Sequence, residues 1–181
     1  MVMKTLRQIV CVLVVGFGLA ACEVRPVHPA DKGALDSVLV TAHIRYHGQY
    51  YPNIGCNVLS VDMLSRGLEF DSLYHISGSG VNLYLSDVFV PLGDTVLTSG
   101  IYTVDTTAAA YTMVPAVDFG PGLTGAYLLR IDNSAVRDTL LFTRGEMTVT
   151  QWADSLMLQF EMYDGQQHKY RATCVTRYGK D

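Results

Sequence analysis

The chain has 181 residues, 49% of them hydrophobic and 17% charged, with a formal net charge of −4. This composition excludes a disordered tail, a collagen-like repeat and a cysteine-dense miniprotein. It excludes a multipass membrane protein as well, because the one long apolar run stands at the very start of the chain.

That run reads as an address. Lys4 and Arg7 precede an apolar stretch from Ile9 to Leu19, which is the length of a signal-peptide core and short of the roughly 20 residues that span a bilayer. Leu19-Ala20-Ala21-Cys22 follows. This tetrapeptide resembles the lipobox of bacterial lipoproteins, which implies cleavage before Cys22, lipidation of its thiol and acylation of its new amine. The competing reading is an ordinary secretory signal with a coincidental cysteine. Multiple acyl chains on one residue hold a protein to a membrane without a spanning helix. Without Lys4 and Arg7, 11 Lys and Arg face 17 Asp and Glu, a formal charge of −6. An acidic surface with no basic run argues against nucleic acid as a partner. Residues 22–34 contain Pro26 and Pro29 and are expected to form an extended tether.

From residue 35 onward the chain has enough length for one core and too little for two comfortable domains. Period-2 alternation dominates, and no long stretch follows a helical period. Expected strands run over residues 38–47, 57–64, 81–90, 101–105, 127–132, 139–143, 146–151, 155–163 and 168–176. In the first, Val38, Val40, Ala42, Ile44 and Tyr46 alternate with Leu39, Thr41, His43, Arg45 and His47. In the eighth, Leu156, Leu158, Phe160 and Met162 alternate with Met157, Gln159, Glu161 and Tyr163. Asp164-Gly165 marks a hairpin turn. Ala108 to Ala110 favour a helical turn within residues 106–113, ended by Pro115. About nine short strands predict an all-β domain over residues 35–181, a β-sandwich with a β-barrel as the alternative.

Three segments carry a resemblance. They are Tyr46-His47-Gly48-Gln49-Tyr50-Tyr51, Ser99-Gly100-Ile101-Tyr102-Thr103-Val104-Asp105, and Gly145-Glu146-Met147-Thr148-Val149-Thr150 leading to Asp164-Gly165 and His168-Lys169-Tyr170. Together they resemble a β-rich module of small lipoproteins common in gut Bacteroidota. The resemblance implies a cell-envelope location and an all-β fold. It assigns no activity, so it transfers no functional residues.

Candidate chemistry is sparse. Cys56 and Cys174 are the thiols left after processing. An exported compartment permits a disulfide between them, stabilising by roughly 4–5 kcal/mol in the chain-entropy model. The alternative is that each is a small buried hydrophobe. His43 and His47 share a strand face about 13 Å apart, too far for one metal ion; His28, His75 and His168 show no ligand spacing, and no cofactor is implied. Ser77-Gly78-Ser79-Gly80 lacks the Gly-x-Ser-x-Gly elbow. Asp118-Phe119-Gly120 stands without the other kinase segments. Asp62 with Glu69, or Asp154 with Glu161, would serve glycoside hydrolysis only at suitable separations. Tyr46, Tyr50 and Tyr51 bracket Gly48, with Pro52-Asn53 following. Flat rings beside an amide suit sugar stacking or an interface anchor, with Trp152 as a further platform; the plain alternative is that tyrosines populate strands.

These observations lead to an expectation: a non-enzymatic β-domain of the cell envelope, anchored to the outer membrane through Cys22, with a binding or assembly role toward a glycan or an envelope protein. A carbohydrate-binding lipoprotein using Tyr50, Tyr51 and Trp152 is the first alternative. A carboxylate-dependent hydrolase is the second.

Overall fold

A computed structural model describes residues 39–177, which are all-β and contain no helix. The leader (1–21), Cys22 and the tether (22–34) lie outside the described residues. Thirteen strands follow in order: β1 (Leu39–Gly48), β2 (Cys56–Ser65), β3 (Leu68–Phe70), β4 (Ile76–Gly78), β5 (Gly80–Pro91), β6 (Gly100–Val104), β7 (Thr112–Met113), β8 (Val117–Asp118), β9 (Leu123–Thr124), β10 (Ala126–Asp132), β11 (Ala135–Trp152), β12 (Ser155–Asp164) and β13 (Lys169–Arg177).

Nine of them form one sheet, in the order β1-β2-β5-β7-β6-β11-β12-β13, with β10 hydrogen-bonded to both β5 and β11. β5, β7, β6, β11 and β10 therefore make a closed circuit. The ladders are antiparallel except the short β6–β7 pair. The two ends of the sheet approach each other, where Thr176 Oγ1 donates to the Ala42 carbonyl at 3.3 Å. One continuous sheet thus surrounds one core, so the barrel describes it better than two separate facing sheets. Every strand of the large sheet contributes to that core, from Leu39 on β1 through Leu59, Leu83, Tyr102, Met113, Leu128, Met147 and Leu158 to Cys174 on β13. Each such side chain contributes about 1.5–3 kcal/mol by leaving water. The alternation expected for β12 holds, with Leu156, Leu158, Phe160 and Met162 buried.

Two expectations are corrected. Residues 139–143 and 146–151 are parts of one 18-residue strand, β11. Gly145, which suggests a break in the sequence, instead permits a bulge: its φ is 139°, and a Cβ there would lie 2.3 Å from the Glu161 carbonyl oxygen. The ladder with β12 shifts register beside it, between Phe142 and Arg144. Residues 106–113 form no helical turn. Ala108 and Tyr111 take positive φ, the Tyr111 amide donates to the Phe89 carbonyl at 2.8 Å, and the next strand, β7, begins at Thr112. Ala108 and Ala110 pack on Cys56, Val58 and Phe89, so tertiary packing overrides the helical preference of alanine.

The outer face of β2 reads Cys56, Val58, Ser60, Asp62, Leu64. Its ends are apolar and its middle is polar. The Cys56 end is roofed by Ile54, just before β2, and by the segment carrying Ala108, Ala110 and Val114. The Leu64 end is roofed by Leu68, Phe70 and Ile76 of the β3–β4 hairpin, with Ile131 and Leu129 alongside. All ten residues of β2 are consequently buried, although it lies one strand from the end of the sheet. Between the two roofs a polar strip stays uncovered by apolar packing.

Candidate functional site

The strip is built from cross-strand neighbours. Arg45 of β1 stands opposite Ser60 of β2, His43 opposite Asp62, and Asp62 in turn opposite Tyr84 of β5. Tyr84 stands opposite Tyr127 of β10, their ring centres 5.3 Å apart. A register shift between Leu59 and Val61 falls where β5 carries Ser86 and Asp87. This irregularity turns a carboxylate from an otherwise apolar run, Val88-Phe89-Val90, into the cleft. Bulges re-aim side chains in this way.

Asp87 is the centre of the site, and only 7% of its surface is exposed. Tyr51 donates its hydroxyl to Oδ1 at 2.8 Å, Ser86 Oγ donates to Oδ2, and Thr124 Oγ1 donates to Oδ2 at 3.4 Å. Ser86 Oγ is itself fixed by the Gly125 amide at 2.7 Å. Burial, followed by the hydrogen bond to Asp87, pushes the Tyr51 phenol up to about 12, so it remains a donor at any physiological pH. The surrounding cleft has a volume of about 270 Å³ and is bordered by His47, Tyr50, Tyr51, Tyr84 and Thr124. Tyr50 is 66% exposed and sits edge-on to Tyr51, ring centres 5.0 Å apart. An aromatic ring free to solvent thus stands beside a rigid acceptor on the floor.

A second polar centre lies next along the strip. Asp62 accepts from Asn82 Nδ2, and its Oδ2 is 3.5 Å from Arg45 Nη2. Burial raises its carboxyl above the usual carboxylate range, while Asn82 and Arg45 pull it back. Burial, then Tyr84 and Asp62, lifts the Tyr127 phenol to about 12.

The other residues singled out from sequence separate. Tyr50 and Tyr51 lie ring against ring, edge-on. Trp152 does not join them: it is half exposed at the β11–β12 turn, paired with Ser155. Tyr46 points to the opposite face of β1 from His47. His47 Nε2 contacts Ser60 Oγ at 2.9 Å and His43 packs edge-on to Phe70, so each has a partner other than a metal. His75 and His168 pair with Asp71 and Asp164. Among the described residues no group of three metal-ligating side chains converges. Asp154 lies in the β11–β12 turn, seven residues from Glu161, roughly 23 Å along an extended strand and too far for a hydrolytic pair. Glu161 is held by Lys169 and Tyr163, which bring its carboxyl down to about 2. Glu69 is exposed between Leu68 and Phe70, which face the sheet, so it points away from Asp62. Asp118 Oδ1 caps the Gly120 amide in the β8–β9 turn, and residues 77–80 join β4 to β5.

Cys56 and Cys174 are free, buried thiols in two different apolar clusters. The disulfide alternative gives way to the small-hydrophobe alternative, and burial pushes the Cys174 thiol up to about 11.

Sequence reasoning missed Asp87, Ser86 and Thr124. The available signal was one acidic residue inside an apolar strand run, which invites the question of what satisfies it. No protein-family model, curated protein or solved structure matches this chain.

Proposed function

We propose that this chain is a lipid-anchored β-domain of the bacterial cell envelope whose role is binding rather than catalysis, and that its ligand is a glycan held against Tyr50 and Asp87. The anchor rests on Lys4, Arg7, the apolar run and Leu19-Ala20-Ala21-Cys22. The observation that carries the ligand class is the exposed Tyr50 ring beside a buried, hydroxyl-bonded carboxylate. An aromatic face accepts the apolar C–H side of a sugar ring, and a fixed carboxylate accepts its hydroxyls. The three hydroxyls already on Asp87 leave acceptor capacity, since a carboxylate offers about four lone-pair sites. Asp87 is the one carboxylate among the described residues bordering the cleft. Glycoside hydrolysis generally uses two, so the arrangement favours retention over cleavage. An assembly role toward an envelope protein would use the same exposed tyrosine as an anchor.

Two measurements test the reading. Cells fed radiolabelled palmitate should label the wild-type protein and fail to label Cys22→Ala; label on the variant removes the anchor. The detergent-solubilised protein should be retarded on gels containing soluble glycans, and Tyr50→Ala should abolish the retardation without changing the unfolding midpoint. Equal mobility of wild type and variant on every glycan would return the assembly role to first place.

A further inference from the structure

We infer that the binding face continues along β1 to a second subsite at Arg45, and that this subsite takes the carboxylate of an acidic sugar. The inference rests on the glycan reading above and specifies the class of glycan.

A second cleft, of about 300 Å³, opens at the edge of β1, taking His43, Arg45, Phe70 and Tyr74 from the outer face and Tyr46 from the other, with Arg177 alongside. Arg45 and His43 lie on the same face of β1 as His47, which borders the first cleft. From His43 to His47 is about 13 Å along the strand, more than one sugar ring occupies. The two clefts thus suit separate units of one chain.

The charge at the second cleft runs against that of the protein. The chain is acidic overall, with 17 Asp and Glu against 13 Lys and Arg, yet β1 carries Arg45, His43 and His47 and no acid. Arg45 is the accessible partner of its ion pair, with 45% of its side chain exposed against 6% for Asp62. A guanidinium has five N–H donors, and Asp62 lies 3.5 Å from one nitrogen. The remaining donors match a planar carboxylate, which Arg binds in a two-pronged fashion.

The wall opposite is rigid. The Arg45 guanidinium carbon sits over the Tyr74 ring, 5.5 Å from its centre, so the two make one joint surface. Tyr74 holds a positive φ of 63°, a costly conformation for a bulky residue that the surrounding turn must enforce. Asp71 supplies the enforcement: its Oδ1 accepts from the Leu73 amide at 2.7 Å and the His75 amide at 2.9 Å. The β3–β4 turn thereby presents an aromatic face, 66% exposed, beside a cation. That pairing fits an acidic sugar packed against the exposed part of the ring and ion-paired to Arg45 through its carboxylate.

The test uses the full lipoprotein in detergent and two probes, tetragalacturonate and its methyl ester, which share a backbone and differ in charge. Wild type should bind the acid about tenfold more tightly, the scale of one charge-assisted hydrogen bond, and the preference should shrink with salt. Arg45→Gln should erase the preference, weakening acid binding more than ester binding. Arg45→Gln with Asp62→Asn removes both charges, and serves if the single variant unfolds by stranding Asp62. Tyr50→Ala should weaken both probes equally. Equal wild-type affinity for acid and ester, no retention of the acid, or an undiminished preference in the folded Arg45 variant overturns the acidic-sugar subsite. If Tyr50→Ala changes neither probe, the glycan site itself fails, whatever Arg45 does.

Discussion

The Tyr51–Asp87 hydrogen bond is the interaction whose removal most directly tests the proposed site. Tyr51→Phe deletes one hydroxyl and keeps the ring. Asp87 then loses its 2.8 Å donor on Oδ1 while keeping Ser86 and Thr124 on Oδ2. Hydrogen bonds to charged groups contribute about 1.5–3 kcal/mol. Tyr51 is 38% exposed, so water partly replaces it, and the lower end, about 1.5 kcal/mol, is expected. With an unfolding entropy of about 2.1 cal/mol/K per residue over roughly 140 residues, that loss lowers Tm by about 5 °C. Asp87→Ala removes the acceptor. If the bond stabilises as argued, Tyr51→Phe should have almost no further effect in the Asp87→Ala background. Urea unfolding of the four proteins gives the coupling. A coupling below about 0.5 kcal/mol refutes the reasoning, because contacts to a rigid, desolvated carboxylate do not score so low.

Three further outcomes follow from the fold. Gly145→Ala should destabilise by about 2–4 kcal/mol, from combined backbone strain and overpacking, because its Cβ would meet the Glu161 carbonyl at 2.3 Å; Gly165→Ala, with nothing within 4 Å, is the control, and equal urea midpoints for the two would remove the bulge argument. Asp164 is pushed up by burial, but the side chain and backbone of His168 and the Gln166 amide outweigh that and hold its carboxyl below the ordinary value; Glu161 is held at about 2 by Lys169 and Tyr163. A lowered folded value gives stability that is complete above the unfolded value, near 4, and fades as pH falls through the folded one. The stability gap between wild type and Asp164→Asn or Glu161→Gln should therefore narrow below about pH 4, more gently for Glu161 because solvent screens it; a gap that widens on acidification contradicts the assignment. Cys56 and Cys174 should resist alkylation in the native protein and both react after unfolding without reductant; recovery of a Cys56–Cys174 disulfide peptide would contradict two separate clusters.

The strands most visible in the sequence are those with one wet face. β12 alternates over its whole length, and it is paired on both edges. β2 is different: its alternating face is polar only at Ser60 and Asp62, because both ends are roofed by other segments. β11 was hidden by Gly145, a residue whose strand role depends on the Glu161 backbone beside it. β3, β4, β8 and β9 have two or three residues each, too few for a periodic signal. In the site, Tyr50 and Tyr51 were legible as neighbouring rings with a turn after them. Asp87 was not, because its partners Tyr51 and Thr124 are 36 and 37 residues away and only the ladders align them. Arg45 was legible as a polar strand residue, but its facing ring, Tyr74, depends on a turn enforced by Asp71.

The meeting of β1 with β13 has a consequence for how this chain matures. Ala42 and Thr176 are 134 positions apart, so the seam joins the earliest and latest described strands. Contacts of such span make folding slow, and no N-terminal fragment can complete the wall. A chain that crosses a membrane from its N-terminus, as proposed, leaves β1 without its β13 contact until the last strand emerges. Exposed edges recruit other strands, so the interval between arrival of the first strand and the last is the period of greatest exposure to misassembly. If the proposed export holds, slowing it with the sequence unchanged should raise the aggregated fraction.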